Sequence, residues 1–257
     1  MSIWMHVIRK LENSLDGCKD DCKKTGCNDP VSVHWDEAVA FYTGSLEGGE
    51  GSGNGKLLHA IADQRCINFK TCGDKGNSTV GMSYVNHEIL HLFTLGSRML
   101  AQAKCSEARK KKEGIERLMT IPLIQGTLRN AYTLYTNENA GEKVEAEGAT
   151  YAAAILPIVA NCGKEAANVI FRNMKTKIGT ETETVDFPVI KKAFEKVYPC
   201  IGIRGSEVGG IWNEATGSYA ENAEPMPDID VNSAATGSRL SLYTITATVV
   251  ILISLSF

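Results

Sequence analysis

"SYVNHEILHLFTLGSRMLAQA", Ser83–Ala103, decides the fold class of this chain. Its apolar residues fall at 85, 89, 92, 93, 95, 99 and 100, a spacing that puts most of them on one side of a 3.6-residue helix. Other stretches repeat the pattern. Lys56–Phe69 places Leu57, Leu58, Ile61 and Ala62 together, and Glu107–Tyr135 reads as one or two helices broken near Pro122. Glu142–Ala160 is Ala-rich and helical until Pro157, Glu165–Met174 continues helically, and Phe187–Val197 follows an Asp186 cap. Alternation typical of strands is nearly absent, "TETETVDF" at Thr180–Phe187 being the one candidate. The expected fold is all-α, a multi-helix bundle spanning residues 15–215 and stapled by disulfides.

The chain has 257 residues, enough for a core that needs no staples to be stable. Its formal net charge of −3 gives no electrostatic support to a nucleic-acid partner. The basic run "ARKKKEGIERL" reads as a solvated helix face. Eight cysteines, at Cys18, Cys22, Cys27, Cys66, Cys72, Cys105, Cys162 and Cys200, are spread along the chain without zinc-ribbon spacing. They imply an oxidising, extracytoplasmic location with up to four disulfides. Cys66–Cys72 is a natural short staple, while the other pairings stay open. "NST" at Asn77 is a glycosylation acceptor.

Residues 216–239 read as an acidic stalk and 240–257 as a hydrophobic tail. The tail is shorter than a typical membrane span and carries no charge after Arg239. It fits a glycosylphosphatidylinositol signal, attached at Asn232, Ser233 or Ala234, better than a single-pass anchor. Either anchor puts the domain at the cell surface or in a periplasmic space. The first residues lack a signal-peptide core. An upstream segment is therefore expected.

Three motifs carry possible chemistry. The glycine-rich Gly44–Gly55 loop lacks the P-loop order, with Glu50 where a Gly is needed and Leu57 after Lys56. "HEILH" matches H-E-x-x-H. His87 and His91 share a helix face fit for Zn²⁺, with Glu88 as general base of a zinc peptidase. The Gly and His of a longer metzincin motif do not follow at its spacing (Gly96 and Arg98 are out of register), so the third ligand is missing from its usual place. Glu107, Glu113 and Glu116 are candidates for it.

The third motif is a set of acids and phenols around the glycine loop: Asp36, Glu37, Tyr42, Glu47 and, after the loop, Asp63. A second such set is Glu142, Glu145, Glu147 and Tyr151. Hard Fe³⁺ prefers carboxylate and phenolate oxygens. Asp and Glu are common on helices, so by composition alone solvated helix faces are the commoner account of such residues, and a structural surface ectodomain without metal is an alternative.

The phrases "VHWDEAVAFYTGSLEG", "LLHAIADQRCINFKTCG", "IPLIQGTLRNAYTLY" and "AEGATYAAAILPIVANC" resemble the algal and diatom iron-assimilating, low-iron-inducible family, which includes the phytotransferrins. The resemblance covers about residues 25–205. It implies a surface protein that captures ferric iron, with carbonate bound beside Fe³⁺ in one branch, and with endocytic or reductase and permease partners. It supplies no ligand set. On chemical grounds Glu37, Tyr42 and Glu47 are the first ligands, completed by Glu147 and Tyr151, with His87 or His91 as further donors. Arg65 or Lys70 would neutralise the carbonate. The chain would then be the last repeat of a longer product. The glycine loop would close over the metal, and acidification would release it.

Overall fold

The computed structural model describes residues 2–18, 30–44, 57–137, 139–175 and 184–228. The long stretch forms α4, Tyr84–Ala101. Ser83 caps it, its hydroxyl accepting from the Asn86 N–H at 3.0 Å. Val85, Ile89, Phe93, Gly96 and Leu100 form its buried stripe. A Cβ on Gly96 would lie 2.1 Å from the Trp35 ring, so this glycine is what lets the indole press against the α4 backbone. The Trp35 Nε1 then donates to the Phe93 carbonyl at 2.9 Å.

The other helices are α1 (Ser2–Gly17), α2 (Pro30–Thr43), α3 (Leu58–Phe69), α5 (Cys105–Leu118), α6 (Ile121–Thr136), α7 (Glu142–Cys162), α8 (Lys164–Met174), α9 (Phe187–Ile201) and the short α10 (Gly205–Val208). The disulfide-stapled all-α bundle is thus the observed fold. Helix α1 packs on α2 and α5, α2 on α3 and α4, and α3 on α6; α6 through α9 pack in succession. One compact unit runs from Met1 to Met226.

Three disulfides are described. Cys18–Cys105 joins the end of α1 to the start of α5, Cys66–Cys72 closes the turn after α3, and Cys162–Cys200 ties α7 to α9. The first and third close loops of 87 and 38 residues. Loops of that length remove about 4–5 kcal/mol of denatured-state entropy each in the chain-entropy account. Cys22 and Cys27 lie outside the described residues.

Asp186 caps α9, accepting from the Val189 N–H at 3.1 Å. Two boundaries differ from expectation. Helix α7 does not stop at Pro157 but runs through it to Cys162. Proline removes one backbone donor, yet Ile155 and Val159 on either side are fully buried and hold the helix to its neighbours. The segment after Trp212 also contains a small antiparallel hairpin, β1 (Trp212–Asn213) and β2 (Ser218–Tyr219), with Trp212 opposite Tyr219. Of the expected strand near Thr180, residues 180–183 lie outside the described residues and 184–186 lead into α9. No helix among the described residues is long and apolar enough to cross a membrane. The expected tail and the attachment residues Asn232 and Ser233 are not among them.

Candidate functional site

Helices α1, α3, α6 and α7 enclose a cleft of about 530 Å³. Helix α7 contributes Glu147 at the rim and Tyr151, half-buried, one turn further on. This i, i+4 spacing puts carboxylate and phenol on the same side of the helix. Helix α3 contributes Arg65 from the opposite wall, its guanidinium carbon 5.7 Å from the Tyr151 ring centre. The distance is that of a cation–π contact. Three candidates, from two distant parts of the sequence, therefore meet in one place.

Arg65 is only 8% exposed. Among the described residues its one hydrogen bond is a long one, 3.4 Å to Asn68 Oδ1, and its buried Nε has no partner. Arg129 on α6 stands nearby. Burial holds its guanidinium below the ordinary arginine pKa, and the Arg65 charge lowers it further, while Glu147 and Tyr151 act in the opposite direction. Neither guanidinium has a carboxylate within ion-pair distance among the described residues. The Trp4 indole N–H, on α1, is likewise buried without a partner among the described residues.

The remaining candidates are placed elsewhere. Tyr42 is fully buried, and its hydroxyl donates to Asn86 Oδ1 at 2.5 Å. The Asn86 amide donates in turn to the His59 carbonyl and to Asp63 Oδ1, both at 2.8 Å. Asp63 Oδ1 also accepts from the Ser83 N–H at 2.7 Å. Tyr42 and Asp63 thus belong to a polar network that joins α2, α3 and α4. Glu37 faces a different side of α2 and pairs at the surface with Lys10 at 2.7 Å and His34 at 2.9 Å. These contacts, the Lys10 hydrogen bond first, hold its carboxyl below the usual range. Glu37 and Tyr42 do not share a site. Glu47 lies outside the described residues.

Lys70 is not beside Arg65 in the cleft. It caps α3 in the left-handed conformation, φ 55°, and its ammonium sits 3.7 Å over the Trp212 ring and 5.9 Å from that of Tyr219. His87 and His91 are exposed on the outer face of α4, and His87 Nδ1 lies 3.6 Å from Glu88 Oε1. No group of three His, Cys, Asp or Glu side chains suited to a metal ion occurs among the described residues. Asn77 is exposed in the turn after Cys72.

Sequence reading passed over Arg129, Trp4 and Gly126, whose missing side chain seats the Tyr151 ring. A glycine inside the helical pattern, three residues before an arginine, is the available signal. Compared with family models, with curated proteins and with solved structures, the chain matches none.

Proposed function

We propose that this domain captures ferric iron outside the cytosol, and that the ion binds in the α1–α3–α6–α7 cleft. The meeting of Glu147, Tyr151 and Arg65 supports this reading. A carboxylate and a phenol one turn apart offer the hard oxygens that Fe³⁺ favours. The buried Arg65 guanidinium favours an anion beside it, which is the role expected for a synergistic carbonate. Glu147 is the cleft's one carboxylate among the described residues, and that anion and water would complete the coordination shell. Protonation of carboxylate, phenolate and anion would weaken the site on acidification. The disulfides suit an oxidising, extracytoplasmic location. Anchoring at a membrane and handover to a reductase, permease or endocytic partner belong to the same proposal.

Titration of the purified chain with ferric ion, with and without bicarbonate, tests it. Stoichiometric uptake with a visible phenolate-to-iron band that is lost in Tyr151→Phe is the expected result. Absence of any uptake would end the reading. The zinc-peptidase alternative rests on the exposed His87 and His91 alone. Stoichiometric zinc, with peptidase activity lost in Glu88→Gln, would favour it.

A further inference from the structure

A carbonate ion would leave most of this cleft empty. Its volume of about 530 Å³ is that of a site for a small organic molecule. Ile3, Leu57, Ile61, Leu123 and Ala154 line much of it. Water gains little against such walls, whereas a hydrocarbon body of similar length would be removed from water there. The polar lining comes from two walls, Gln64 and Arg65 on α3 and Glu147, Thr150 and Tyr151 on α7, and Arg65 is its one cation among the described residues. Arg65 is nine-tenths buried, has no counter-ion among the described residues, and keeps an unpartnered Nε. Arg129 on α6, which does not line the cleft, interacts electrostatically with Arg65 and has no counter-ion among the described residues. A buried cation without a partner is costly, and an anionic head group arriving beside it removes that cost. Glu147, the single acid of the lining among the described residues, is exposed, whereas Arg65 is buried, so the buried side of the cleft carries the positive charge.

We infer that the cleft binds an organic carboxylate with an unbranched apolar body of about eight to twelve carbons, its head group against Arg65 and its chain along the apolar wall formed by α1, α3 and α6. This rests on the same cleft as the iron reading but needs no iron. In the iron-loaded domain such a carboxylate takes the place assigned to carbonate.

The test is calorimetric titration of the metal-free chain with hexanoate, octanoate, decanoate, acetate, bicarbonate and decan-1-ol, alongside the ferric titration. Each added methylene should tighten binding about threefold to fourfold. Decan-1-ol should bind at least tenfold more weakly than decanoate, because it lacks the charge. Arg65→Gln should weaken decanoate at least tenfold. Ala154→Phe, which fills the apolar part and leaves the charge, should abolish decanoate binding. Should Arg65→Gln lose helicity, Ala154→Phe and the chain-length series still decide. Equal affinity for acetate and decanoate, or for decanoate and decan-1-ol, overturns the inference. So does an absence of decanoate binding. Bicarbonate-dependent iron uptake without decanoate binding sinks this inference and leaves the iron reading intact, whereas decanoate binding without iron uptake does the reverse.

Discussion

The phenol ring of Tyr151 on α7 rests on the backbone of Gly126 on α6: a Cβ at Gly126 would lie 2.6 Å from Tyr151 Cδ1 and 2.8 Å from Cε1. Real carbon contacts are not that short, so Gly126→Ala must displace the ring. Alanine's better helix propensity is worth up to about 1 kcal/mol, and overpacking costs about 1–3 kcal/mol. The clash wins. Denaturant unfolding should show a net loss of about 1 kcal/mol. Ferric affinity should fall along with it if Tyr151 is a ligand.

Tyr42→Phe separates the buried network from the cleft. It leaves Asn86 Oδ1 without the hydroxyl it accepts from, at a site closed to water. The expected loss is about 1–3 kcal/mol of stability. Ferric affinity and the visible band should be unchanged. A band that disappears in this variant would move the metal from the cleft to Tyr42.

Glu147→Gln and Glu37→Gln form a matched pair. Both remove one exposed negative charge, but only Glu147 lines the cleft. Glu147→Gln should weaken ferric binding at least tenfold, and Glu37→Gln should alter it less than twofold. Equal effects would point to bulk charge rather than to coordination.

Acid sensitivity should reside partly in the α1–α5 contact. Glu12 Oε1 lies 2.7 Å from Lys112 Nζ, and Arg109 adds a 3.3 Å contact. The Lys112 hydrogen bond chiefly, with the Coulomb pull of Lys112 and Arg109, lowers the Glu12 pKa against a smaller desolvation effect. For Lys112 burial acts downward, but the bonds to Glu116 and Glu12 outweigh it and raise the pKa. A lowered carboxyl pKa stabilises the fold above about pH 4.3, and that contribution disappears as pH falls through the folded-state value. A raised lysine pKa contributes fully below about pH 10.4 and is lost above it. Glu12 is partly solvated, so the pair is worth at most about 1 kcal/mol. Glu12→Gln should therefore melt lower than the parent at pH 7 and match it near pH 3.

Helical spacing made most of the bundle legible, including the Ser83–Ala103 helix, the Asp186 cap and the Cys66–Cys72 staple. The site was legible only in pieces. Glu37 and Tyr42 are neighbours in sequence, yet five helical residues turn them to different faces, one to solvent and one to the core. Arg65, Glu147 and Tyr151 were each candidates, but their meeting depends on how α3 and α7 pack, which no local pattern encodes. Pro157 misled because tertiary packing on both sides outweighs one lost hydrogen bond.

The Tyr42–Asn86–Asp63–Ser83 network also acts as a key in a lock. Apolar helix faces can slide past one another by a turn at modest cost, but this set of donors and acceptors matches at one setting only. It therefore fixes the height of α3 against α2 and α4, and with it the level at which Arg65, two residues beyond Asp63, enters its cleft. The guanidinium is held at its station before any ligand arrives.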